Sequence, residues 1–368
     1  MEITKSEIPE INFQDRNLEL IWDKILNKED LSVNEGVKLL ETEDFVSVGI
    51  MADYMTKSLT GDKVFFVLNR HINPTNICVL SCKFCDFAKK PGDKDAYEMS
   101  IEQILDEMDE EISEVHIVGG HHPSWEFSHY VDMVKAINDK YPNVQIKAFT
   151  ASEIDYFYRR WKITPEESLS ILKEAGLDSM PGGGAEVFSD RIHKMLLPGK
   201  ATGDRWLDIH RIAHNMDIKS NCTLLYGHVE TFEERVDHLI KLRNLQNETN
   251  GFLAFIPLEY QIGTTLLRKR HTTPFDDLKM IAASRLILNN VKYIKSYWVM
   301  LGESTASIGL NFGANDLDGT IGKERIAHAA LANSPAGRAR EKMVNSIKDA
   351  GRIPVERDAL YNEVKVYL

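Results

Sequence analysis

The chain is short of cysteine, of positive charge and of long apolar runs, and each shortage closes off a class of protein. Four cysteines in 368 residues argue against a disulfide framework. Three of them fall between positions 78 and 85, a clustering that points to metal ligation. Lysine and arginine number 44 against 56 acidic residues, leaving a formal net charge of −12. Such a surface repels a phosphate backbone, which excludes general nucleic-acid binding but leaves room for a local basic pocket. No apolar run reaches the roughly 18–20 residues needed to span a bilayer. The first ten residues carry neither the basic start nor the apolar stretch of a signal peptide. A cytoplasmic protein with no membrane partner is expected.

What is present suits a large α/β core. The composition is 43% hydrophobic and 27% charged, ordinary for a globular chain. Leu18, Leu20, Ile21, Ile25 and Leu26 recur near helical spacing, and a second amphipathic run starts at Val33. The pattern then changes to short β-branched runs, at 64–72, 115–118, 144–149, 177–180, 220–226, 252–258 and 293–299. Helical stretches at 101–112, 130–139, 165–175, 206–215, 232–246 and 275–289 separate them. Thr164 before Pro165, Glu166 and Glu167, and Thr231 paired with Glu234, are helix-start signals. Alternation of this kind predicts βαβ units, and an eighth strand near 316–320 would complete a TIM-type (β/α)8 barrel. The expected division is an N-terminal helical extension (1–60), the barrel (61–320) and a C-terminal helical extension packed on it (321–368), with a helix stop at Ala350–Gly351.

Cys78, Cys82 and Cys85, spaced C-x3-C-x2-C, fall in the loop after the first barrel strand. That face is where such barrels place their active sites. Three thiolates can hold three irons of a cubane cluster and leave the fourth iron open. A structural zinc needs a fourth ligand and usually shows two separated pairs. Cys222 stands alone inside a strand and reads as a buried structural thiol.

Other loops at the same face carry further candidates. Gly119 and Gly120 permit close backbone approach to a ligand. His121 and His122 follow with no partner at ligand spacing, and read as loop histidines. Glu153 ends the third strand, either as an acceptor for a ribose or amine or as an acidic start to the next helix. Gly182, Gly183 and Gly184 mark a tight turn or close ligand approach, without the Gly-Lys-Ser/Thr of a Walker loop. Glu186 beyond them is a ligand-contacting carboxylate or an exposed helix-start residue. His228 and Glu259 end the fifth and sixth strands, and Arg268, Lys269, Arg270 and His271 form a basic cluster. That cluster is either an anchor for carboxylates or a solvated turn.

The cysteine spacing with Phe84 before the last cysteine resembles the radical S-adenosylmethionine (SAM) signature. The segments 71–78, 116–120, 148–153, 181–186, 225–231, 254–258 and 316–320 together resemble its menaquinone-biosynthetic branch, the aminofutalosine synthases above all. The resemblance implies a [4Fe–4S] cluster on Cys78, Cys82 and Cys85, and SAM consumed as co-substrate near Phe84, Gly119, Gly120, Glu153 and Glu186. It implies that the glycine pair meets the methionine amine, with His121 where the family usually has glutamate. The implied reaction adds the 5′-deoxyadenosyl radical to the enol-ether double bond of 3-[(1-carboxyvinyl)oxy]benzoate. Aryl migration and decarboxylation then give 6-amino-6-deoxyfutalosine. An electron donor of flavodoxin or ferredoxin type is implied as partner. By location, Asn76, His121, His228 and Arg270 are candidates for contacting the substrate. The rivals are the sibling cyclase, which abstracts hydrogen from dehypoxanthinylfutalosine, a deazaflavin-cofactor synthase, and a non-enzymatic iron–sulfur carrier. Carriers generally enclose their cluster with four protein ligands.

Overall fold

The computed structural model describes residues 8–109 and 111–368. Its centre is a parallel sheet of seven strands in sequence order. They are β2 (Asn69–Ile72), β3 (Glu114–Ile117), β4 (Gln145–Ala148), β5 (Leu177–Met180), β6 (Lys219–Tyr226), β7 (Phe252–Glu259) and β8 (Tyr293–Ile294), with β1 (Lys63–Val67) leading directly into β2. The chain switches sheets at Leu68: β1 pairs in parallel with β9 (Asp316–Gly319) and β10 (Ile353–Arg357), while β2 pairs with β3.

Backbone hydrogen bonds bring the two edges together. Ser296 N donates to Asp316 O (2.8 Å), Thr320 N to Val67 O (3.1 Å) and His71 N to Ile321 O (2.9 Å). The eighth strand expected near 316–320 is therefore β9, and it completes the α/β barrel.

Buried side chains fill the space between strands and surrounding helices, among them Ile117, Ile146, Trp206 and Ile281. Local signals set most helix starts. Thr164 and Thr231 each close a capping box, with Glu167 and Glu234. Helix Val33–Glu41 lies so close on helix Phe232–Thr249 that a Cβ on Gly36 would stand 2.5 Å from Val236 Cγ1.

Some boundaries differ from the sequence reading. The strand expected over 293–299 has only two ladder residues before helix Trp298–Leu301, where Trp298 Nε1 turns to bond Gly319 O (3.1 Å). The helix expected over 101–112 ends at Asp106, and position 110 lies outside the described residues. Helices Ala151–Trp161 and Asp190–Leu196 fall outside the helical stretches read from the sequence, although a helix start at Glu153 was one of its alternatives. At the C-terminus, helix Arg340–Asp349 stops before Gly351 (φ +76°), as expected. The chain then adds β10 and the antiparallel β11 (Glu363–Val366), two strands the sequence reading did not assign. Among the described residues, no helix is long and apolar enough to cross a membrane.

Candidate active site

The cysteine loop is held by polar side chains rather than by regular structure. Asn76 Nδ2 donates to Asp95 O (2.8 Å), and its Oδ1 accepts from Tyr97 N (2.8 Å). Thr75 Oγ1 donates to Tyr97 O (2.7 Å). The Lys90 ammonium gathers the carbonyls of Cys78 (2.9 Å), Val79 (3.3 Å) and Leu80 (2.7 Å). Asp86 accepts from Thr264 N (3.0 Å), tying the loop to the segment after β7. Gly119 and Gly120 press on the approach to Cys78. Gly120 N donates to Thr75 O (2.9 Å), and a Cβ on Gly120 would sit 2.2 Å from Ile77 O.

Beneath the loop opens a cavity of about 310 Å³, lined at its mouth by Cys78, Cys82, Phe84, Cys85, Gly119 and Gly120. His121, Glu153, Glu186 and Lys200 line it as well. Of the two roles the sequence left open, Glu153 takes that of the acidic helix start, and it also lines the cavity. Its Oε2 accepts from Thr150 N (2.7 Å) and Thr150 Oγ1 (2.8 Å) in a capping box, while Oε1 turns to Gly119 N (3.4 Å). Burial pushes its carboxyl up to about 7, against the pull of those donors. Burial pushes His121 down to about 3, helped by Lys200 and Arg159, so its imidazole is neutral.

Lys200 was not anticipated. It arrives on the loop after helix Asp190–Leu196, with its Nζ 2.5 Å from Glu186 Oε1 and 5.4 Å from the centre of the Phe84 ring. Burial works against its charge, but Glu186 and the nearby Cys82 outweigh it and hold the ammonium above its ordinary range. Glu186 has φ +48° and starts no helix.

Deeper in the cavity lies a polar layer that the sequence reading also missed. His71, His116 and Lys147 are register partners on β2, β3 and β4, and all three line the cavity with Lys295 and Asp318. Lys147 Nζ donates to Glu114 Oε1 (2.6 Å) and Lys295 Nζ to Asp318 Oδ1 (3.1 Å). Charged or imidazole side chains inside apolar parallel strands were the available signal, because such strands normally read as continuous hydrophobic runs.

Asn76, His228 and Arg270 do not line the cavity. Asn76 is spent on the backbone of the cysteine loop. His228 is buried, with Nε2 3.1 Å from Leu225 O and Nδ1 3.0 Å from Glu230. Arg270 is exposed, since its segment turns outward between β7 and the next helix. His122 is a loop histidine whose Nδ1 accepts from Ser124 N (3.2 Å) and Trp125 N (3.1 Å). Cys222 is fully buried on β6 and does not line the cavity, with its thiol directed to Ala254 O (3.6 Å).

The donor set suits an iron–sulfur cluster. Three thiols line one cavity, where burial pushes Cys82 and Cys85 up and the nearby Lys200 offsets part of that push. In the absence of metal, burial pushes the Cys82 thiol up to about 11, so cluster binding has to displace protons. Among the described residues, no three His, Cys, Asp or Glu side chains stand at the spacing of a single bound ion. A cubane takes one thiolate per iron and needs wider spacing.

Comparison with known proteins agrees with this geometry. The family model described as "Radical SAM superfamily" matches residues 72–242, and that of the "CofH/MqnC C-terminal region" matches 249–367. The aminodeoxyfutalosine synthase of Thermus thermophilus is 40% identical over 96% of this chain and 98% of its own. That of Streptomyces coelicolor is 38% identical over 94% and 93%. The 5-amino-6-(D-ribitylamino)uracil–L-tyrosine 4-hydroxyphenyl transferase of Methanothermobacter thermautotrophicus is 35% identical over 95% and 99%. Methylornithine synthase shares the fold, with a TM-score of 0.73 at 18% identity over 91% of this chain and 97% of that one. So does the FeFe-hydrogenase maturase HydG of Carboxydothermus hydrogenoformans, with a TM-score of 0.71 at 14% identity over 94% and 80%. The chain belongs to the radical SAM superfamily and, within it, to the aminodeoxyfutalosine synthase family of group-transferring enzymes.

Proposed function

We propose that this enzyme joins the 5′-deoxyadenosyl group of SAM to 3-[(1-carboxyvinyl)oxy]benzoate, giving 6-amino-6-deoxyfutalosine for menaquinone biosynthesis. The observation that carries the reading is the continuity of one cavity, from the three cysteines at its mouth to a polar layer of lysine and histidine at its floor. When bound on Cys78, Cys82 and Cys85, a [4Fe–4S] cluster supplies the electron that cleaves SAM. The donor of that electron is a reduced flavodoxin or ferredoxin.

The chain's own residues bind and orient. Lys200, braced by Glu186, offers a cation to the methionine carboxylate. Gly119 and Gly120 leave room for the amine, and Glu153 meets it or the ribose. Leu225, Ile256, Leu258 and Met300 line the walls with apolar surface that keeps water from the reacting carbons. Holding the double bond against the 5′ carbon favours addition over hydrogen abstraction.

The test is anaerobic turnover of the reconstituted protein with dithionite, SAM and the enol-ether benzoate, followed by product mass. An adenosine–benzoate adduct that has lost one carboxylate supports the reading. 5′-Deoxyadenosine alone, with the benzoate untouched, overturns it. The relatives that are named as hydroxyphenyl transferases favour a second reading, checked by offering 5-amino-6-(D-ribitylamino)uracil and L-tyrosine in a parallel reaction. Dehypoxanthinylfutalosine in a third reaction checks the sibling cyclase.

A further inference from the structure

The cavity floor holds more hydrogen-bond capacity than the protein uses. An ammonium has three donors. Lys147 spends one on Glu114 and Lys295 spends one on Asp318, and neither makes another hydrogen bond among the described residues. Both side chains are deep: Lys147 is 4% exposed and Lys295 1%. His71 and His116 stand beside them with ring centres 4.5 Å apart, and Nε2 of each is buried without a partner. Buried donors left unused are costly, and a ligand acceptor relieves that cost.

Charge decides the class of ligand. The two ammoniums are balanced by Glu114 and Asp318, so the layer is neutral while its imidazoles are neutral. One incoming negative charge meets two ammoniums that still have unused donors, while burial disfavours the protonated forms of His71 and His116. A phosphate dianion would bring twice that charge into a site of low dielectric. The cavity wall on β6 and β7 adds the apolar Leu225, Ile256 and Leu258 beside the polar Asn221 and Thr223. The ligand that fits has an apolar body and a single anionic end.

We propose that Lys147 and Lys295, flanked by His71 and His116, form the seat of an aromatic carboxylate at the floor of the cavity. This rests on the reading that the cavity receives a benzoate, and assigns that benzoate's ring carboxylate to the floor and its enol ether to the cluster end. Lys147 and Lys295 are positioning residues that set the depth at which the double bond meets the 5′ carbon.

The experiment is calorimetric binding of 3-methoxybenzoate and of its neutral analogue 3-methoxybenzamide to the anaerobically reconstituted holoenzyme with SAM. Two paired variants are compared, Lys147→Met with Glu114→Gln and Lys295→Met with Asp318→Asn, so that neither leaves a buried charge alone. The wild type is expected to prefer the acid about tenfold or more, and each variant to lose most of that preference. A wild type without preference, or a preference unchanged in both variants, overturns the proposal. Product analysis with the enol-ether substrate is scored separately. No product alongside an intact wild-type preference removes the reaction and leaves the carboxylate seat. Product alongside an undiminished preference in both variants does the reverse.

Discussion

The Lys200 ammonium stands 2.5 Å from the Glu186 carboxylate, with side chains only 10% and 12% exposed. The pair joins the loop after β5 to the loop after the next helix, beside Phe84, Cys82 and Cys85. Its two halves depend on each other, because either charge alone would be buried without compensation.

Lys200→Met is therefore expected to lower stability by about 3–5 kcal/mol, by stranding the Glu186 charge. The double variant with Glu186→Gln recovers most of that loss in urea unfolding. SAM affinity, measured by equilibrium dialysis, stays low in both variants if Lys200 meets the methionine carboxylate.

Gly120→Ala tests the packing behind the cysteines. The new Cβ meets Ile77 O at 2.2 Å, a backbone atom that cannot rotate away. The loop must move, at a cost of about 1–3 kcal/mol. Iron per chain after reconstitution is expected to fall even though all three cysteines remain. Full iron content at wild-type melting temperature would contradict this.

The four cysteines are expected to divide three to one. Serine at Cys78, Cys82 or Cys85 abolishes iron and sulfide retention, because each thiolate serves a different iron. Cys222→Ala keeps the full iron content and loses about 1 kcal/mol from its buried place on β6.

The part of the stability that Glu153 contributes without SAM is expected to fall as pH rises from about 4.5 to 7, while buried histidines such as His121, held neutral, act in the opposite direction below 6.5. Burial lifts the Glu153 carboxyl from 4.5 to about 7, so the folded state holds this proton more tightly than the unfolded chain. The resulting stabilisation is complete below 4.5 and is lost as pH passes about 7, an effect of about 3 kcal/mol. Burial, with Asp277 beside it, lifts Glu259 to about 7 in the same direction. Urea unfolding of the wild type and of Glu153→Gln at several pH values should show the wild type losing stability relative to the variant across that window. A variant curve parallel to the wild type would reject Glu153 as a contributor.

The signals that were legible in the sequence are local ones. The spacing of Cys78, Cys82 and Cys85 is a property of one loop, and Thr164 with Pro165 marks a helix start within four residues. Strand and helix alternate visibly because side-chain period is set by backbone sterics over a few positions. Those features determined the barrel class, the place of the cysteine loop and the chemistry its donors suit.

What only the tertiary structure decided lies between distant segments. Pro354 makes β10 a poor strand by propensity, yet it pairs with β1 across nearly the whole chain. His71, His116 and Lys147 became one layer through the register of three parallel strands, and Lys295 with Asp318 joined it where the barrel closes. Arg270, as cationic in sequence as Lys147, was turned to solvent by the same closure. Local sterics specify which residues can form a strand. Which of their charges face a common cavity depends on long-range pairing, whose loop-closure cost is met only when the whole sheet assembles.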